Sequence, residues 1–85
     1  MDYKVRLTEA VRRDLLAKNE GFTTSTSYDS KNHDYVRDYL IKGGQVIIRE
    51  VGKKSWEDSC YDKIWTADKD EVLRFLRNNL SILKI

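Results

Sequence analysis

Proline is absent from the chain, and cysteine, histidine and methionine occur once each. Without proline, every backbone N–H is a donor that folding must satisfy. One cysteine excludes an internal disulfide and fits a reducing compartment. One cysteine and one histidine fall short of a structural zinc site, which takes four such ligands. No apolar run approaches the roughly 20 residues of a membrane span. The opening MDYKVRLTEAV lacks the apolar centre of a secretory signal. The expectation is a cytoplasmic protein with no membrane segment, no cofactor and no metal.

Strong charge of either sign is also missing. Across 85 residues the net charge is +2, too small for the strongly basic footprint of a typical nucleic-acid-binding domain. The sharpest local patch is acidic, from Glu57 to Glu71. What the chain does have is 40% hydrophobic and 35% charged residues, the make-up of an ordinary folded protein. Its length predicts one domain over residues 1–85, burying roughly two thirds of its unfolded surface and leaving little room for a deep cavity.

Periodicity sets the order of elements. In LTEAVRRDLLAKNEG, Thr8 is suited to cap a helix and Gly21 to follow its end. Leu7, Ala10, Val11 and Leu15 recur at helical spacing and should face a core, with Arg12, Arg13 and Lys18 in water. Residues 2–6 alternate enough for a short strand. Phe22 to Tyr28 alternates threonine and serine and reads as an edge strand with a polar side.

The strongest local signal is DYVRDYLIKGGQVIIREVGKK, two β-rich runs around Gly43-Gly44. A two-residue turn there fixes the register. Lys42 faces Gln45, Leu40 faces Ile47, Asp38 faces Arg49, Arg37 faces Glu50 and Val36 faces Val51. A slip of one residue would break both opposite-charge pairs. One face then carries Tyr39, Ile41, Val46 and Ile48, and the other Val36, Leu40, Ile47 and Val51. CYDKIWT reads as a fourth strand. Asp68 and Glu71 have the spacing of a capping box, followed by Val72, Phe75, Leu76, Asn79, Leu80 and Leu83 on one helical stripe. The predicted fold is α+β: a two-layer sandwich of an N-terminal helix, an antiparallel meander of three or four strands and a C-terminal helix, both helices on one sheet face.

The chemistry-bearing stretch is GKKSWEDSCYDKIW. Its Gly-Lys-Lys-Ser lacks the first glycine of a phosphate-binding loop, since Ile47 stands there. The acids from Glu57 to Glu71 lack the spacing and glycine of a calcium loop. Cys60 with His33 is the one nucleophile–base pair on offer, but Asp58 and Asp62 flank the thiol and oppose thiolate formation. Cys60 reads instead as a small buried strand residue. Trp65 alternates within a strand and belongs to the core, whereas Trp56 sits in a charged loop.

The sequence therefore points to a non-enzymatic module that binds another protein, as an adaptor, inhibitor or regulator. Trp56, Glu57, Asp58, Lys53 and Lys54 are the partner-binding candidates, because tryptophan is enriched at binding hot spots. The alternative is RNA or single-stranded DNA on the hairpin face, using Tyr35, Arg37, Tyr39, Lys42, Lys53 and Lys54. A minimal enzyme built on Cys60 and His33 ranks third. Nothing in the sequence fixes the oligomeric state.

Overall fold

The chain runs helix, four strands, helix: α1 (Glu9–Lys18), β1 (Thr23–Asp29), β2 (His33–Lys42), β3 (Gln45–Lys54), β4 (Tyr61–Thr66) and α2 (Lys69–Asn79). This computed structural model describes residues 6–57 and 59–85, so the strand expected over residues 2–6 lies almost wholly outside the described part. The sheet is an antiparallel meander in the order β1-β2-β3-β4, which makes the α+β expectation correct with four strands.

Turn chemistry sets the sheet. Gly43 and Gly44 both take positive φ, 61° and 75°, the backbone that a two-residue hairpin turn demands and that glycine adopts at no steric cost. The register is the one that turn dictates, with Arg37 opposite Glu50 and Asp38 opposite Arg49. Glu20, just past α1, accepts the Gly43 N–H at 3.0 Å and ties the turn to the helix end.

The helices begin on caps encoded in the sequence. Thr8 Oγ1 accepts from the Val11 N–H. Asp68 and Glu71 form a reciprocal capping box, 2.9 and 3.1 Å, and the Glu71 carboxylate also accepts the Trp65 indole N–H at 3.1 Å. One acid thus starts α2 and anchors a half-buried tryptophan.

The core lies between the helices and one sheet face. Ile41, Val46 and Ile48 of the hairpin are buried against Leu15 and Leu16 of α1, Phe75 and Leu76 of α2, and Leu7, Leu80 and Leu83. Ala10, expected at the core, is exposed, and Leu16 is buried in its stead. Leu16 borders a depression with Gly44, Gln45, Thr66, Ala67 and Val72, so the buried stripe of α1 is turned toward the hairpin turn and the β4–α2 junction. Just past α1, Asn19, 5% exposed, donates to the Lys84 carbonyl at 2.9 Å and accepts the Lys84 N–H at 2.8 Å.

Candidate functional site

Each strand alternates its side chains between the two sheet faces, so the register sorts the surface into rungs. On the helix-bearing face, Thr24, Tyr39, Ile48 and Trp65 form the last rung under the helices. Tyr39 stacks on Phe75 with ring centroids 5.2 Å apart. The next rung outward is Thr26, Arg37, Glu50 and Lys63, and the one after it Tyr28, Tyr35, Gly52 and Tyr61.

That outer part of the face is held by a chain of hydrogen bonds. Tyr61 donates to Glu50 Oε2 at 2.5 Å and shares a 2.6 Å hydrogen bond with His33 Nε2. Glu50 also accepts from Arg37 Nε at 2.5 Å. Gly52 makes room for this. A Cβ there would come within 2.6 Å of the Tyr61 hydroxyl and 2.8 Å of Tyr35 Cβ. Burial opposes the charge on Glu50, but the Tyr61 and Arg37 hydrogen bonds outweigh it and hold its carboxyl below the ordinary value. The Tyr61 phenol is pushed up to about 12, by burial and then by the hydrogen bond to Glu50. A phenol that clings to its proton is a structural donor rather than a nucleophile.

Aromatic rings and cations gather around this chain. Tyr28 stacks on Tyr35 at 5.1 Å and His33 lies 5.1 Å from Tyr35. Lys63 Nζ is 5.0 Å and Lys54 Nζ 5.6 Å from the Tyr61 ring centroid, and Lys54 is also 5.8 Å from that of Trp56. The result is an aromatic ledge with two lysines on its rim.

The opposite sheet face is open. Its three central rungs are Thr23, Leu40, Ile47 and Thr66; Ser25, Asp38, Arg49 and Ile64; and Ser27, Val36, Val51 and Asp62. Neither helix lies on it. Val36 is 46%, Val51 38% and Ile64 67% exposed, while Leu40 and Ile47 are half-buried. A polar row crosses the aliphatic field. Ser25 Oγ donates to Asp38 at 2.5 Å, and Arg49 makes a two-pronged ion pair with Asp62 at 3.1 and 2.6 Å. The Arg49 hydrogen bond holds the Asp62 carboxyl below its ordinary value, against the opposing effect of burial.

The candidate residues named from the sequence distribute unevenly over these surfaces. Trp56 is 68% exposed, as expected of a loop tryptophan, and Glu57 is exposed beside it. Lys54 accompanies Trp56 on the ledge, whereas Lys53 lies on the open face. Asp58 lies outside the described residues. Of the nucleic-acid set, Tyr35 and Arg37 share the ledge with Lys54. Tyr39 is stacked on α2, and Lys42 and Lys53 belong to the other face.

Cys60 corrects an expectation. It was read as a buried strand residue, yet it is exposed and immediately precedes β4. The face it joins has no covering layer, so nothing is there to bury it. It borders a shallow depression with Val36, Val51 and Lys53, while His33 is engaged by Tyr61 on the other face. The structure does not bring the thiol and the imidazole together.

Sequence reasoning missed Tyr61 and Lys63 as members of the ledge. The 55–60 connection is too long to fix the β3–β4 register from sequence. The signal that could have found them was Gly52 within a strand, which marks a close approach by another group. No helix among the described residues is long and apolar enough to cross a membrane. No family model, no curated protein and no solved structure matches this chain.

Proposed function

We propose that this chain is a small non-enzymatic protein-binding module, of adaptor, inhibitor or regulator type, acting in a reducing compartment such as the cytoplasm. Its partner docks on the open sheet face. The observation that carries this reading is the aliphatic field of Val36, Leu40, Ile47, Val51 and Ile64 on a face that neither helix covers. Aliphatic side chains on an uncovered face, here two clusters divided by the Asp38 and Arg49 row, suit an interaction site. The partner it suits presents aliphatic side chains of its own, with hydrogen-bonding groups set to meet the Asp38, Arg49 and Asp62 row. Trp56 and Lys54 lie on the ledge at the same end of the sheet as Lys53 and Cys60, and extend the contact around the 55–60 loop.

The ledge supports a second reading. Tyr35, Tyr61 and Trp56 offer rings for stacking single-stranded nucleic acid, and Lys54 and Lys63 offer charge for its phosphates. Arg37 adds little there because Glu50 neutralises it.

One experiment separates the two. Trp56 reports on the ledge, so tryptophan fluorescence is titrated with single-stranded and duplex nucleic acid at two salt concentrations. The protein-binding reading predicts no saturable change even at low salt. A saturable change that weakens steeply with salt favours the ledge and RNA or single-stranded DNA. On the open face, Val36→Lys with Ile64→Lys is expected to abolish partner capture and leave the thermal midpoint nearly unchanged.

A further inference from the structure

The outer edge of the sheet at β1 is built without the features that normally protect a sheet edge. From Thr23 to Tyr28 the strand reads TTSTSY, with no charge and no proline. Six of its seven residues are exposed and the other is half-buried, so neither helix covers it. No described non-glycine residue has positive φ, so no left-handed kink turns it away. The other edge, β4, carries Asp62 and Lys63. Native sheets place charges, proline, bulges or covering elements on their edges to prevent pairing. β4 has such charges within the strand, whereas the one charge of β1 is its last residue, Asp29.

The hydrogen-bond pattern shows which groups β1 leaves free. Phe22 O accepts from Ile41 N at 3.0 Å, just before β1, and Ser30 N donates to His33 O at 3.1 Å, just after it. In an antiparallel pair the bonded residues alternate, so the even positions Thr24, Thr26 and Tyr28 bond inward to β2. The N–H and C=O groups of Thr23, Ser25, Ser27 and Asp29 therefore point outward.

We propose that two copies of this chain pair antiparallel through β1, about a two-fold axis at Thr26, and form a continuous eight-stranded sheet. The strand is complementary to itself in that register. The outward-facing residues fall opposite one another, Thr23 to Asp29 and Ser25 to Ser27, and each such pair exchanges both backbone bonds. Side chains of like facing also match: Thr24 meets Tyr28 and Thr26 meets its own copy. No like charges meet, and hydroxyl-bearing residues face each other, a favourable cross-strand pairing. This self-matching selects a second copy as the occupant of the edge over an unrelated extended peptide. An isologous contact of this kind closes at two subunits. It also joins the two open faces edge to edge, so the dimer presents the docking field twice. The proposal does not depend on the identity of the docking partner.

The test is sedimentation equilibrium of the full chain from about 1 µM to 1 mM, a range suited to a small polar interface. The expected result is a concentration-dependent rise from the 10.0 kDa monomer toward twice that mass. Ser25→Pro removes an outward N–H and leaves the β1–β2 ladder intact. It is expected to weaken association at least about tenfold, the cost of one to two kcal/mol of lost pairing. Thr26→Asp sets two like charges on the axis beside the chain's own Arg37 and gives the same loss, partly restored by salt. Should the proline variant unfold, the Asp variant decides.

A positive readout fixes the register. In a Cys60→Ser background, Thr26→Cys is expected to form an intermolecular disulfide under mild oxidation, and Thr24→Cys is not. A wild type that stays monomeric at about 1 mM overturns the proposal. So does a dimer that survives both Ser25→Pro and Thr26→Asp, or one in which Thr26→Cys does not cross-link. A dimer lost only on Val36→Lys with Ile64→Lys would move self-association to the open face and equally overturn the pairing of edges.

Discussion

Tyr61 on β4 reaches over Gly52 on β3 to hydrogen-bond the buried carboxylate of Glu50, 2.5 Å from its hydroxyl. The helices stop short of this end of the sheet, so side chains hold it. Glu50 has Arg37 across one strand neighbour and Lys63 across the other. A buried carboxylate is tolerable only with such partners. These bonds tie β2, β3 and β4 together at the end of the sheet that the helices leave uncovered.

Gly52→Ala is the sharpest test of that arrangement. The added methyl would meet the Asp34 carbonyl oxygen at 2.6 Å as well as the Tyr61 hydroxyl, and a backbone atom cannot rotate away. The expected cost is about 1–3 kcal/mol, the range for overpacking. Urea unfolding measures it, and a change within ~0.5 kcal/mol would show that the neighbours of Gly52 do not crowd it as the structure places them.

The same pair predicts pH dependence at both ends of the scale. Burial and the hydrogen bond to Glu50 push the Tyr61 phenol up to about 12, from an ordinary value of 10.0. A raised folded value stabilises the protonated form, so this contribution is complete below pH 10 and disappears as pH climbs toward 12. Glu50 is shifted the other way. Its contribution is present above its ordinary value of 4.5 and disappears as pH falls through the lower folded value. Thermal midpoints are expected to hold across neutral pH and to fall at both extremes. Tyr61→Phe removes the alkaline limb attributable to this phenol, and ultraviolet titration shows one tyrosine fewer ionising late.

Asn19 supplies a separate prediction. Its side chain exchanges two hydrogen bonds with the backbone of Lys84, 65 residues away in sequence. Asn19→Ala leaves both Lys84 groups without that partner and is expected to cost about 1–3 kcal/mol. Amide exchange at Lys84 should rise well before global unfolding. Unchanged protection there would mean that Leu80 and Leu83 alone hold the C-terminal segment.

Local signals were legible in the sequence, and long-range ones were not. The Gly43-Gly44 turn fixed the hairpin, because a two-residue loop leaves no freedom of register; of the two expected charge pairs Arg37–Glu50 forms, while Arg49 pairs with Asp62 and Asp38 accepts from Ser25. Asp68 and Glu71 announced the last helix by their spacing alone. Cys60 was misjudged because alternation tells which face a residue joins and not whether anything covers that face. Asn19 was missed because its partner is the far C-terminal segment, and Leu16 because it sits beside the hairpin turn and the β4–α2 junction, both distant in sequence. The ledge depended on how β4 pairs with β3, which a six-residue connection leaves open until the strands meet. The open aliphatic face was visible as a second apolar set, Val36, Leu40, Ile47 and Val51, but its exposure depended on where both helices pack.

The docking claim is tested most directly by the chain's own cysteine. Cys60 is exposed and borders the open face beside Val36 and Val51, so it can carry a benzophenone photo-cross-linker without further engineering. Cross-linking in lysate of the source cells is expected to yield one discrete adduct that Val36→Lys with Ile64→Lys eliminates. The same label moved to the exposed helix surface, through Arg77→Cys in a Cys60→Ser background, is expected to give none. Equal adducts from both positions, or an adduct indifferent to the lysine pair, would contradict the assignment of the open sheet face as the binding surface.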